Sequence, residues 1–260
     1  MSEVPAADAA VPGLDGAPLF LLDELPEGLA EGGELMVDGA EGRHAVDVLR
    51  LEAGELVRVG NGRGAVAEGE VASSGSAGLR VAVRAVFDVP APEPEFVLVQ
   101  ALPKGDHGPL AVDLATELGV DRIVPWTAAR CVTRWREDRI AKGVAKWRAA
   151  ARAASKQSRR PRVPEVTEPM STREVCGLLG EADAAIVLHE QARLPMAGLT
   201  VPEQGTVVVV VGPEGGITDG EVVAFRAAGA EPVRLGAEVL RTSTAGAAAL
   251  AALSARTRWS

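Results

Sequence analysis

Cysteine is scarce in this 260-residue chain. Only Cys131 and Cys176 occur, in no CxxC or Cys/His spacing, which excludes a disulfide framework and a zinc site and suits a reducing cytoplasm. No cluster of His, Cys, Asp or Glu has metal-ligand spacing, so no metal is expected. No apolar run approaches the ~18 residues that a membrane span needs. The opening MSEVPAADAAVPGLDG lacks the basic start and apolar middle of an export signal. A soluble, cytoplasmic chain without membrane contact is therefore expected. No internal repeat is evident.

Bases are also missing where they would be useful for binding nucleic acid. Residues 1–34 hold eight acids and no Lys or Arg, and the whole chain has a net charge of -9, an average that argues against a nucleic-acid partner. The average conceals a strong asymmetry. Residues 130–162 carry twelve Lys or Arg against two acids, Glu137 and Asp138. Distant charges are screened beyond a Debye length of ~8 Å, so such a face still attracts phosphate. Helical periodicity places Lys142, Lys146, Arg148, Arg152 and Lys156 on one side of this segment, with Val144, Trp147, Ala151 and Ala154 opposite. One side packs. The other is either a solvated face or, as the run continues into Arg159, Arg160 and Arg162 without acids, an RNA-backbone contact.

With 47% hydrophobic and 24% charged residues, the chain can build one large or two modest cores. Residues 1–16 are Ala, Pro, Gly and acid without periodicity, a disordered tail. Residues 17–90 read as short strands, with a hairpin signal at Asn61-Gly62 and Gly64, hence a small β-barrel or sandwich. One helical interruption, EGRHAVDVLRLEAGE, has Ala45, Val48 and Leu49 on a common face. The proline-rich VPAPEPEF at 89–96 marks a boundary. From residue 91 to 260, strands alternate with helices, the pattern of a mostly parallel sheet with its site at the carboxyl ends of the strands.

The most informative stretch is VVVVVGPEGGITDGEV, residues 207–222. A valine run reads as a strand buried on both faces, running into a glycine-rich turn before a helix that Asp219 can cap. A second such unit follows: a strand at Val233–Leu235, the Gly236 break, Val239-Leu240, and the hydroxyls Thr242, Ser243 and Thr244 as caps for an Ala-rich helix. Two adjacent turns of this kind would form the floor and rim of one small-molecule site. The G-x-G-x-x-G dinucleotide fingerprint is missing, and a glycine-rich turn alone can equally be a tight connection.

GPEGG followed by LGxxVLRTSTA resembles the signature of SPOUT methyltransferases, and in particular the RsmE family, which methylates nitrogen 3 of a uridine in small-subunit 16S ribosomal RNA. PKGD at 103–106, ELGV at 117–120 and KW-x8-SKQSRR-x-RVPEV at 146–166 match in order, and a His before VLRL-Gly resembles the start of the family's PUA-like domain. The likeness spans about residues 35–253. It implies an α/β fold with a C-terminal SPOUT (trefoil-knot) domain behind a small N-terminal PUA-like β-barrel, a homodimer, and S-adenosyl-L-methionine as cofactor. The family commonly has an Arg just before the first strand; here Ala17-Pro18 stands instead.

Carried onto this sequence, the resemblance implies cofactor contacts at Leu188, His189, Glu190, Gly212, Pro213, Glu214, Gly215, Gly216, Leu235, Gly236, Val239, Leu240, Arg241, Thr242 and Thr244. Arg241 is the catalytic candidate, a cation for the uracil carbonyls; alternatively it pairs with Glu214 or Glu238, or bridges a dimer. His189 is read as orienting its loop, and Lys104 and Asp106 as a pair that can order theirs. RNA candidates are Arg43, His44, Arg50, Lys104, Arg148, Arg152, Lys156, Arg159 and Arg160. Three other readings stay open: a SPOUT enzyme for another RNA, a non-catalytic RNA-binding module, and a Rossmann-like nucleotide enzyme, the last disfavoured by the missing fingerprint.

Overall fold

A computed structural model describes residues 16–259; residues 1–15, where most of the expected disordered tail falls, and residue 260 lie outside the described residues. The chain forms two compact units, one ending at Val89 and the other beginning at Pro90.

The first unit contains β1 (Leu19–Leu21), β2 (Glu34–Val37), the short helix α1 (Gly39–Arg43), and β3 (Leu56–Gly60), β4 (Ala65–Gly75) and β5 (Gly78–Asp88). They form one five-stranded sheet in the order β1-β3-β4-β5-β2, antiparallel except for β1 beside β3. The Asn61-Gly62 hairpin joins β3 to β4 as the turn residues predict. Alternate residues of the strands, among them Leu35, Val37, Val57, Val59, Leu79 and Val81, close over Phe20 as the core. The interruption after β2 departs from the expected amphipathic helix. Residues His44–Val48 form a π-helix that follows directly on α1. The wider turn breaks the 3.6-residue period, so Ala45 is buried while Val48 and Leu49 stand 65% and 42% exposed.

The second unit runs β6 (Glu95–Ala101), α2 (His107–Glu117), β7 (Arg122–Thr127), α3 (Glu137–Gln157), β8 (Glu165–Val166), β9 (Met170–Ser171), α4 (Thr172–Gly180), β10 (Ala184–Leu188), β11 (Leu194–Pro195), β12 (Thr206–Val211), α5 (Asp219–Ala227), β13 (Glu231–Arg234) and α6 (Thr242–Ser254). The strands make one parallel sheet in the order β11-β13-β10-β12-β6-β7-β8, with β9 also on β7. Val207 to Val210 are fully buried, as a strand covered on both faces requires. Helix α2 packs against α3 and α6, and α4 against α5.

The chain reverses its direction of travel across the sheet between β6 and β12. From β6 it moves outward to β7 and β8; later it comes back as β10 and β12, so the carboxyl ends of β6, β10, β12 and β13 converge at a switch point. After β10 the chain travels past the place of β13 to form β11 and then returns to β12. Strand β13 therefore lies within that excursion, and Arg256 just past α6 donates from Nη1 to the Met196 carbonyl of the same excursion, at 3.2 Å.

The small residues of α6 pack within this chain: a Cβ on Gly246 would sit 3.0 Å from Leu98, and Ala245, Ala247 and Ala249 are buried. They let α6 approach the sheet closely.

Candidate active site

The loops at the carboxyl ends of β10, β12 and β13 surround one cleft of about 870 Å³. Its walls comprise residues 188–191, 211–217 and 233–243, with His107, Arg130, Asp219 and Ala245. Of the fifteen cofactor candidates, all but Thr244 line it. Thr244 turns away, its Oγ1 donating to the Arg241 carbonyl at 3.1 Å.

Several capping assignments need correction. Helix α5 is capped by Thr218, not Asp219. Thr218 Oγ1 accepts the Glu221 N–H at 3.2 Å and the Glu221 carboxylate accepts the Thr218 N–H at 2.9 Å, a reciprocal box that leaves Asp219 as the first helical residue. Nor do hydroxyls cap α6. Arg241 occupies its N-cap and makes no side-chain cap bond. The buried Thr242 points inward instead, where its Oγ1 donates to the Gly212 carbonyl at 2.7 Å and accepts from Gln100 Nε2 at 3.0 Å. That relay ties the centre of the sheet to both signature turns. Gln100 is fully buried with its Oε1 unpartnered, an uncommon cost for a strand interior.

The two signature turns supply main-chain donors. In the stretch Leu235 to Leu240, no backbone N–H donates to a carbonyl of the described residues. Leu235 is half-buried and residues 236–240 are exposed where they line the cleft, so N–H groups here are open to water or to a ligand. The GPEGG turn is held by the Gly216 N–H on the Pro213 carbonyl at 2.8 Å. Gly216 takes φ +75°, and a Cβ on Gly212 would sit 2.5 Å from Ile217 Cγ1, so both positions require glycine.

The charged groups divide into those the protein already uses and those it leaves open. Glu214 Oε1 accepts the Lys104 N–H at 3.0 Å, which fastens the PKGD loop to the GPEGG turn through backbone. Asp106 pairs with Lys146 at 2.6 Å rather than with Lys104, and that hydrogen bond holds its carboxyl below the usual range. His189 Nδ1 accepts the Gln191 N–H at 3.2 Å, so this ring shapes its own loop. The Arg241 side chain lines the cleft, is exposed, and among the described residues pairs with neither Glu214 nor Glu238.

Glu221 was not singled out by sequence, although its T-x-x-E spacing after Ile217 is a capping signature. It is 6% exposed and accepts from Ala129 N at 2.8 Å and Thr172 Oγ1 at 3.3 Å as well as from Thr218. Burial pushes its carboxyl up, but the donors from Ala129, Thr218 and Thr172 outweigh it and hold the group below its ordinary value. Through Ala129 it fixes the start of the loop that carries Arg130, another cleft residue that sequence reasoning left unassigned. Arg130 Nη1 donates to the Gly215 carbonyl at 3.2 Å.

The RNA candidates fare unevenly. In the first unit Arg43 and Arg50 are exposed and His44 is half-buried; Arg50 has φ +55°, a left-handed backbone seldom adopted by a non-glycine residue. On α3 the predicted packing face is correct: Val144, Trp147, Ala151 and Ala154 are buried. The expectation of unpaired charge along this helix is not. Arg148 donates to the Val166 carbonyl at 3.0 Å and reaches Glu168 at 3.4 Å, and Lys146 meets Asp106. Arg152 and Lys156 are half-buried, and Arg159 is exposed at φ +57°. Arg160 is withdrawn as an RNA contact. The left-handed turn at Arg159 sends its side chain, 16% exposed, back onto the Thr116 carbonyl at 2.6 Å and Asp121 at 3.5 Å. Burial pushes that guanidinium down from its usual value, against the pull of Asp121.

Among the described residues no group of three or more His, Cys, Asp or Glu is placed to hold a metal, and no helix is long and apolar enough to cross a membrane. An excursion that sets β13 between β11 and β10, a cleft at the carboxyl ends and a β domain earlier in the chain together define a methyltransferase of the SPOUT class with a PUA-like N-terminal domain. Residues 91–254 match the family described as RNA methyltransferase domain, and residues 37–82 the family described as RNA methyltransferase PUA domain. A Mycobacterium bovis protein named ribosomal RNA small subunit methyltransferase E is 44% identical over 94% of each chain, and its Bacillus subtilis namesake 26% identical over 92% of this chain and 96% of its own. The crystal structure of a protein of that name from Neisseria gonorrhoeae, bound to S-adenosyl methionine, superposes with a TM-score of 0.80 at 27% identity, covering 93% of this chain and 98% of its own. A Legionella pneumophila structure, a putative methyltransferase in complex with the cofactor SAM, gives 0.78 at 26% identity, covering 93% and 97%. The chain belongs to the ribosomal RNA small subunit methyltransferase E family.

Proposed function

We propose that this protein transfers the methyl group of S-adenosylmethionine to nitrogen 3 of a uridine in 16S ribosomal RNA, acting in the cytoplasm as a homodimer. The observation that carries this reading is the convergence of two signature turns, separated by two elements in sequence, on one cleft. The cleft suits the cofactor: its volume lies within the ~300–1,000 Å³ of small-molecule sites, and residues 235–240 offer unpaired N–H donors to polar ring and carboxylate atoms. Val239 and Leu240, 76% and 40% exposed on the rim, are apolar surface that a ligand or a second copy would cover.

Bound S-adenosylmethionine supplies a methyl group made electrophilic by its sulfonium. The chain's own residues do the rest. The chain's contribution would be to hold the uridine nitrogen in line with the methyl–sulfur bond that breaks as the new bond forms, the nitrogen's proton passing to water. As that proton leaves, negative charge spreads onto the uracil carbonyl oxygens. Arg241, which lines the cleft and makes no ion pair among the described residues, is the cation proposed to meet it. The acidic rim of Glu190, Glu214 and Glu238 suits a cationic donor and disfavours its neutral product.

The test is methyl transfer by the purified protein, with methyl-labelled S-adenosylmethionine and 16S rRNA transcribed in vitro or presented as small subunits lacking the modification. Label in 3-methyluridine after digestion to nucleosides supports the proposal. Label in another nucleoside, or none with either substrate, overturns it. Sedimentation at micromolar concentration checks the dimer, and a monomer would remove that part.

A further inference from the structure

The cations of residues 130–162 fall into two groups once their partners are known. From residue 146 onward the protein supplies its own anions and carbonyls to Lys146, Arg148 and Arg160, while Arg159, just past the far end of the helix, is exposed. Arg130, Arg134, Arg136, Arg139 and Lys142 are different: all five are exposed, and among the described residues none makes an ion pair. Glu137 and Asp138, the acids nearby, stand in the first turn of α3, where the helix dipole favours them.

This segment is tethered at both ends. Its inner end is fixed by the Ala129 N–H on Glu221 and by Arg130 on the Gly215 carbonyl. At its outer end Trp135, between Arg134 and Arg136, lies against α3, edge to face with Trp147 at 5.4 Å. A Cβ on Gly143 would sit 2.6 Å from the Trp135 ring, so the glycine makes room for it. Arg130 also lines the cleft. Five exposed cations without ion pairs among the described residues, on a stretch that runs from the cleft through a loop into the start of α3, suit the phosphodiester backbone of a nucleic acid strand.

We propose that residues 130–142, and not the later part of α3, form the track that leads the RNA backbone to the cleft, with Arg130 the phosphate-binding residue nearest the reacting nucleotide. The inference rests on RNA being the substrate, as proposed above. The guanidinium of Arg130 keeps donors beyond the one spent on Gly215, enough for a phosphate oxygen.

The test is the salt dependence of 16S rRNA binding by the full-length protein at saturating S-adenosylmethionine. Each lost phosphate contact flattens the plot of log affinity against log salt by about 0.7–0.9. R130A is expected to flatten it by one contact and R134A/R136A by about two, while R130K keeps the wild-type slope and R148A changes it little. An R130A and an R134A/R136A slope equal to wild type would overturn the track, as would flattening by R148A alone. Wild-type protein that methylates the RNA but shows those results refutes only this inference; wild-type protein that neither binds nor methylates it overturns the functional reading and the track with it.

Discussion

Replacing Thr242 with Val tests whether the two signature turns act as one unit. The substitution keeps the branched shape and removes a hydroxyl that is 8% exposed, which donates to the Gly212 carbonyl at 2.7 Å and accepts from Gln100 Nε2 at 3.0 Å. Gln100 is already short of one partner at Oε1, and its amide would retain only the Ala101 carbonyl, at 3.1 Å. Stranding buried polar groups costs about 1–3 kcal/mol. Because the lost bond joins α6 to the GPEGG turn, much of this should appear in ligand affinity. Carried wholly there, it is a loss of roughly 5- to 150-fold for S-adenosylmethionine. Gln100→Leu should cost less, since it removes the orphaned oxygen together with the donor. The double variant should then cost less than the two singles combined, by about 0.5–3 kcal/mol as expected of groups in one network. Calorimetric titration measures the affinities and urea unfolding the stabilities. Costs that add to within about 0.5 kcal/mol would refute the relay.

Gly212→Ala should lower S-adenosylmethionine affinity and stability by about 1–3 kcal/mol, the usual penalty of overpacking, because the new methyl meets the buried Ile217. Gly236→Ala, whose Cβ approaches only the flexible end of Glu238 at 3.4 Å, should be much milder; equal losses in calorimetry would contradict the packing argument. Glu221→Gln should destabilise by about 1–3 kcal/mol at neutral pH, as hydrogen bonds to a charged group are lost. Its folded carboxyl sits below the ordinary value of 4.5, so the contribution is present above that pH and fades as pH falls through the folded pKa. Urea unfolding from pH 7 downward should therefore show the wild-type advantage shrinking, and an advantage that grew in acid would be inconsistent. Arg241→Ala should cut kcat by about 10²–10³ while changing the KM for S-adenosylmethionine far less, and a change confined to KM would mark Arg241 as a binding group only.

The walls of the cleft were legible in the sequence because their chemistry is local. A turn that brings backbone close to a ligand needs glycine, and GPEGG carries that requirement in adjacent residues. The α3 packing face was legible for the same reason, as its period is written in one stretch. What escaped depended on partners far along the chain. Thr242 resembles a helix cap until its bonds to Gln100, 142 residues away, and to Gly212 are known. Arg160 belongs to a basic run, but one left-handed residue, Arg159, turns it onto Thr116 and Asp121. Lys146 and Arg148 looked unpaired because Asp106 and Glu168 come from other elements. Glu221 was accessible in principle through its T-x-x-E spacing. Asp219, the nearer capping residue type, competed for the assignment and is simply the first residue of α5.

The most direct test is mass spectrometry of small-subunit rRNA from a strain in which this gene is deleted, compared with the same strain carrying the wild-type or the R241A protein. The expected result is that 3-methyluridine disappears from the 16S rRNA of the deletion strain, returns with the wild-type protein and stays low with R241A. An unchanged 3-methyluridine level in the deletion strain would contradict the proposed activity.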